Sequence, residues 1–183
     1  KITVVDINEN ALTELTRDLR SSSLLDYDPE YITYPLNLLN NTFDKIFNSE
    51  SWHIVANFAA HKHVRSEKDK ISVEALIKNN VFGAIKLLDL CEQNKPKYFF
   101  SVSTDKAANP VNIMGASKSL MEKLILSKKD KFRVSTARFA NVAFSNGSLL
   151  DGFTKRLKKR QPLSCPEDIK RFFVTGEQSG QIC

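Results

Sequence analysis

Ser103, Thr104, Asp105 and Lys106 stand in a row within "FFSVSTDKAANPVNIMGASK", residues 99–118. Thr104 can donate a hydrogen bond to a carbonyl or hydroxyl oxygen. Asp105, held protonated or set beside a leaving oxygen, can act as an acid. Lys106 can act as a base once its pKa is lowered. Lys118, further along on a helical run, can supply the nearby positive charge that lowers it. The bland alternative is a polar turn with a solvated lysine. Three kinds of proton-handling group at one strand terminus favour chemistry, because functional groups gather where rigid elements end.

The elements that must position these groups alternate. "KITVVDIN", "YITYPL", "HIVANFA", "KYFFSVS" and "FRVSTARFA" read as strands. "ENALTELTRDLR", "NTFDKIF", "SVEALIKNNVFGAIKLLDLCEQN" and "NIMGASKSLMEKLILSKK" read as helices between them. Such alternation predicts an α/β fold with a doubly wound, Rossmann-like parallel sheet covered on both faces. Ligands in such folds bind beyond the carboxyl ends of the strands. Those ends carry Asp6 to Asn8, Asn37, Ala59 to His63, Ser103 to Lys106 and Arg138 to Phe144.

A dinucleotide-binding domain opens on a strand and a glycine-rich turn that seats the pyrophosphate on a helix N-terminus. None of the six glycines forms such a turn, and no strand precedes "ITVVD". The expectation is therefore a chain starting at the second strand, without the first strand and its glycine-rich loop. Residues 1–145 then form a partial dinucleotide-binding domain, and residues 146–183 the start of a substrate-binding region. Asp6 stands where an acid that accepts from both ribose hydroxyls belongs, which favours NAD over NADP; it can equally be an acid complementing the dipole of the next helix. Asn37 can bond an adenine or simply make a turn. Ala59 and Ala60 are small where a backbone would approach a cofactor. His61, Lys62 and His63 follow, a grouping more typical of surface than of direct chemistry, and no carboxylate or cysteine lies at metal-ligand spacing to the histidines.

At 183 residues, 42% hydrophobic and 26% charged, the chain can bury one sizeable core. No apolar run approaches the roughly 20 residues of a membrane helix, and no secretory signal opens the sequence. Three widely spaced cysteines without a CxxC suggest neither a disulfide framework nor a zinc site, and fit a reducing, cytoplasmic setting. The net charge of +6 and "KRLKKRQ" at 155–161 invite a nucleic-acid reading. Leu149, Leu150, Phe153 and Leu157 recur at helical spacing, however, so the run reads as the solvated face of an amphipathic helix.

"STDKAANPVNIMGASK", with "AAHKHV", "NNVFGAIKLLD" and "RFANV", resembles the polysaccharide-biosynthesis branch of the extended short-chain dehydrogenase/reductases, and within it the C5-inverting UDP-N-acetylglucosamine 4,6-dehydratases. The resemblance runs from Asp6 to about Thr175. It implies NAD(P)-dependent removal of water from a UDP-amino sugar by a homo-oligomeric enzyme. It assigns Thr104 to the hydroxyl member of the catalytic set and Lys118 to the ribose-binding lysine. Asp105 and Lys106 become the pair for elimination and for proton exchange at C5. Ala59, Ala60 and Lys62 fall on the cofactor side, and Asn141, Arg171 and His63 on the UDP-sugar side.

Met114 departs from the superfamily pattern, whose YxxxK places a tyrosine there to take the C4 hydroxyl proton. A thioether cannot do this, and none of Tyr27, Tyr31, Tyr34 or Tyr98 has a lysine four residues later. Some branches of the dehydratase family carry methionine at this position, so the change implies a subgroup, with Lys106 as the first candidate for the C4 proton. The rival expectations are a nucleotide-sugar 4-epimerase, a retaining dehydratase, or a non-catalytic nucleotide-sugar-binding relative.

Overall fold

Alternating apolar strands and amphipathic helices give the expected parallel architecture. A computed structural model describes residues 1–21, 29–63, 67–165, 167–168 and 170–183. Tyr27 and Val64, both cited above, lie outside the described residues. The chain opens with β1 (Ile2–Asp6), α1 (Glu9–Ser21) and β2 (Tyr31–Pro35). The two strands pair in parallel from Ile2 opposite Tyr31 to Asp6 opposite Pro35. Next come α2 (Asn41–Asn48), whose Asn40 cap accepts from Thr42 N at 2.8 Å, and β3 (Ile54–Asn57).

The long helix expected from residue 72 to 94 is real but interrupted. It comprises α3 (Lys70–Ile77), a π-helical segment (Lys78–Phe82) and α4 (Gly83–Asn94). There follow β4 (Tyr98–Thr104), a 3₁₀ turn (Asp105–Ala107), α5 (Ile113–Leu126) and β5 (Arg133–Phe139). The chain then runs through β6 (Asn141–Val142), α6 (Leu149–Lys158), β7 (Phe173–Val174) and α7 (Gly176–Ile182). The amphipathic helix read at 149–157 is α6, with its basic residues largely exposed.

Strand order among the described residues is β1–β2, β3–β4–β5 and β6–β7, all pairs parallel. The first two groups share no ladder hydrogen bond. Alternation along β3 and β4 turns Val55 and Phe99 onto α4 and α5, where Leu88, Met121 and Ile125 complete the core. Each such side chain contributes roughly 1.5–3 kcal/mol on burial. On the opposite sheet face Ile54 and Phe58 are each 64% exposed. The expected cover on both faces is thus seen on one face of β3–β4–β5. No helix among the described residues is long and apolar enough to cross a membrane.

Candidate active site

The end of β4 and the start of α5 pack together as one wall of a cleft. Thr104 leaves the strand with extended backbone, and its hydroxyl donates to Asp105 Oδ1 at 2.9 Å. The same oxygen accepts from the Lys106 backbone N–H at 2.9 Å and pairs with Lys106 Nζ at 3.1 Å. Burial works to raise the Asp105 pKa, but the Thr104 hydroxyl and Lys106 outweigh it and hold the carboxyl below its usual range. Asp105 is therefore a carboxylate at rest, with an amine as its partner.

Helix α5 is pinned against this turn. Asn112 caps it, accepting from Gly115 N at 2.8 Å. Glu67, from far back in the chain, accepts from Met114 N at 2.7 Å. A Cβ on Gly115 would lie 2.7 Å from the Lys106 carbonyl oxygen, so only glycine lets the helix start come this close. Met114, 4% exposed, and Lys118, one turn later, then line the cleft. Lys118 Nζ donates to Val102 O at 2.7 Å. Burial pulls its pKa down to about 8, with the Glu122 charge opposing in part.

The opposite wall is the segment after β3. Asn80, in the π-helical segment and 1% exposed, accepts from His61 N at 2.8 Å and donates to His61 O at 3.0 Å. It also donates to Ser117 Oγ on α5 at 3.0 Å. The π turn therefore points a side-chain amide where an unbroken helix would have pointed elsewhere. Held this way, His61, Lys62 and His63 line the cleft, with Lys62 and His63 exposed, in line with the surface placement their local sequence suggests. Lys62 Nζ crosses to Asn146 O at 2.7 Å. The His63 ring lies 3.2 Å from where a Gly147 Cβ would sit, and Gly147 has φ of +70°. The volume of this open cleft is about 370 Å³.

Of the residues expected at a site, Thr104, Lys106, Met114, Lys118, Ala60, Lys62, His63 and Asn141 line this cleft, and Asp105 is bonded to it through Thr104 and Lys106. Asp6, Asn37, Ala59 and Arg171 are not part of its wall. Asp6 accepts from Asn8 N at 2.7 Å, and Asn37 makes an Asx turn with Leu39 N at 2.9 Å. Ala59 directly precedes the cleft residue Ala60. Arg171 adjoins Phe172, whose carbonyl accepts from the Asn141 side chain at 3.1 Å. Asn80, Glu67 and Gly115 escaped the sequence reading. The first had a visible signal, because "NN" is a poor helix former inside an otherwise apolar helical run.

A parallel α/β sheet with its polar cleft beyond the strand ends is a Rossmann-like architecture, in which ligands bind outside the carboxyl ends of the strands. Residues 1–183 match the family described as "Polysaccharide biosynthesis protein", and the chain belongs to that family. It is 33% identical over 180 residues to an uncharacterized membrane protein of Methanocaldococcus jannaschii, covering 95% of this chain and 51% of that one. It is 37% identical over 131 residues to the inverting UDP-N-acetylglucosamine 4,6-dehydratase of Campylobacter jejuni, covering 67% of this chain and 38% of that one. The chain thus spans about half or less of these relatives' length. In fold it is similar to the UDP-glucose 4-epimerase of Thermotoga maritima solved with UDP-glucose, with TM-score 0.75, 16% identity, and coverage of 98% and 71%.

Proposed function

We propose that the chain carries the catalytic cleft of a nicotinamide-dependent dehydratase acting on UDP-N-acetylglucosamine or a close UDP-amino sugar, with inversion at C5. The observation that carries this reading is the bonded set Thr104, Asp105 and Lys106 beside Met114 and Lys118. Oxidation and reduction at C4 alone, as in epimerisation, give a paired carboxylate and amine no task. Loss of water across C5–C6 needs an acceptor for the C5 proton and a donor to the departing hydroxyl.

The residues present fit a dinucleotide. Lys118 brings a buried amine to the cleft wall, Ala60 leaves room for a close approach, and the Asp6 carboxylate stands exposed at the end of β1. When bound beside these residues, a nicotinamide would supply the hydride chemistry needed at C4 and C6. In this reading Lys118, Ala59, Ala60 and Lys62 hold the cofactor with Asp6 and Asn37, while Asn141, Arg171 and His63 hold the UDP-sugar. Residues 1–145 serve the cofactor, and residues 146–183 begin the substrate region.

Asp105 starts as a carboxylate, so it must receive a proton before it can give one. The C4 hydroxyl is the group that loses its proton first. Thr104, already donating to Asp105, passes that proton on, and Met114 merely walls the space where a tyrosine would act. Asp105 then protonates the C6 hydroxyl as it leaves as water. Lys106 rests as the partner of the Asp105 carboxylate. Once the C4 proton has neutralised Asp105, the amine is released from that charge, gives its own proton to solvent and takes the C5 proton, acidified by the 4-ketone, and a proton returns to the opposite face of C5.

Replacing Lys106 by alanine in the full-length protein tests this. Turnover of UDP-N-acetylglucosamine is expected to fall by about 10²–10⁴, the usual worth of general acid–base catalysis, and solvent deuterium is expected to stop entering C5. Undiminished turnover or exchange sinks the assignment. A product of retained C5 configuration moves the protein to the retaining branch, and a 4-epimer without a 6-deoxy product makes it an epimerase.

A further inference from the structure

Behind the cleft wall, Glu122 follows Lys118 by one turn of α5 and is 5% exposed. A carboxylate at that spacing from a lysine is its natural ionic partner. Arg138, at the end of β5, takes it instead: its Nε donates to Glu122 Oε1 at 2.9 Å and its Nη2 donates to Oε2, a bidentate fork. The Lys118 amine turns the other way, to Val102 O at 2.7 Å and Met121 Sδ at 3.4 Å. It has no ion pair among the described residues.

We propose that Arg138 holds the Glu122 carboxylate off the Lys118 amine, so that the pair acts as a positioning device leaving the cleft lysine without an ionic partner. The proposal rests on the reading of Lys118 as a working residue of the cleft. The charged groups on the neighbouring cleft elements are engaged elsewhere. Asp105 and Lys106, on the turn after β4, pair with each other at 3.1 Å. Glu67 accepts from Met114 N, and Lys62 across the cleft donates to Asn146 O. His61 and His63 complete the ring of titratable side chains.

The electrostatics agree with the geometry. Burial lowers the Lys118 pKa and Glu122 only partly restores it. Burial would raise the Glu122 pKa, but Arg138 and, to a lesser extent, the Lys118 charge keep it ionised. An ammonium with carbonyl and thioether partners alone exchanges its proton near neutral pH, whereas one seated on a carboxylate would not. Arg138 thereby sets what the cleft lysine can do without touching it.

The two partners act in opposite senses, which gives the test. The titration midpoint of Lys118 is to be followed by NMR of ¹³C-lysine in the full-length protein, with its resonance identified by loss in Lys118→Arg. Arg138→Met frees Glu122 and should raise the midpoint by about one pH unit, and Glu122→Gln should lower it by about one unit. Arg138→Lys, which keeps the charge, should leave it near the wild-type value. One limb of the pH profile of turnover should move in the same two directions. Midpoints that stay fixed, or that move the same way in both variants, overturn the proposal. The NMR titration decides it even if the protein fails to turn over UDP-N-acetylglucosamine, so failure of the assigned reaction is read separately.

Discussion

The side-chain amide of Asn80 holds the peptide of His61 from both sides, accepting from its N–H at 2.8 Å and donating to its carbonyl at 3.0 Å. Its second donor contact, to Ser117 at 3.0 Å, ties the same point to α5. One buried residue therefore joins the two walls of the cleft. Asn80→Ala leaves the His61 N–H, the His61 carbonyl and the Ser117 hydroxyl without this partner. The expected cost is about 2–4 kcal/mol by urea denaturation, since buried polar groups deprived of partners are charged close to their full desolvation. Turnover should fall as well. A loss below about 0.5 kcal/mol, ordinary for a surface substitution, would show that water or backbone takes over the amide's contacts.

Gly115→Ala tests how closely the proton-handling turn depends on α5. The added Cβ meets the Lys106 carbonyl oxygen at 2.7 Å, a backbone atom that cannot swing aside. Turn or helix must shift, at a cost of about 1–3 kcal/mol. A displacement of order 1 Å at reacting groups can reduce kcat by about 10². Steady-state kinetics should therefore show a kcat loss well beyond what the stability change implies, with folding retained by circular dichroism. Unchanged kcat would mean the turn is not held in register by this contact.

Much of this frame is legible locally. Asp105 and Lys106 stand at a strand terminus, and the run of apolar residues from Tyr98 marks that strand without any knowledge of its neighbours. The Asn40 and Asn112 caps lie directly before helical runs, as capping chemistry requires. The position of His61–His63 along the cleft is not legible, because its cause is Asn80, which is 19 residues away and aimed by a π turn whose extra residue leaves no periodic trace. Glu67 on Met114 N spans 47 residues and is equally silent in sequence. Asp6 and Asn37 show the converse: their hydrogen bonds to Asn8 and Leu39 are the local turns the sequence permits, which leaves the ligand roles assigned to them to be tested by binding.

The open sheet face makes a prediction about the 183-residue chain expressed alone. Ile54 and Phe58 are each 64% exposed, and Phe58 stacks in a tilted pair on Phe100 with ring centroids 5.9 Å apart. Contiguous exposed apolar surface of this kind drives association. The isolated chain should bind an apolar dye and self-associate with rising concentration in sedimentation velocity, and Ile54→Lys should reduce both. A monomer at high concentration that ignores the dye would mean the face is covered in solution.

Lys118 links chemistry to stability through pH. Its pKa is about 8 in the folded chain against an ordinary 10.5, so the folded state gives up this proton more readily than the unfolded one. Below about pH 8 both states hold the proton, and the cost of burying the ammonium is borne in full. Between about 8 and 10.5 the unfolded chain binds more protons than the folded chain, so stability rises with pH and the cost disappears. The difference corresponds to about 3 kcal/mol. Lys118→Met should therefore stabilise the protein at pH 7 by up to about that amount, with an advantage that shrinks toward pH 10, while the dehydratase turnover proposed above should be lost. Urea denaturation at the two pH values measures it. If the variant is instead less stable at pH 7, the bond from the amine to the Val102 carbonyl outweighs the desolvation of the charge.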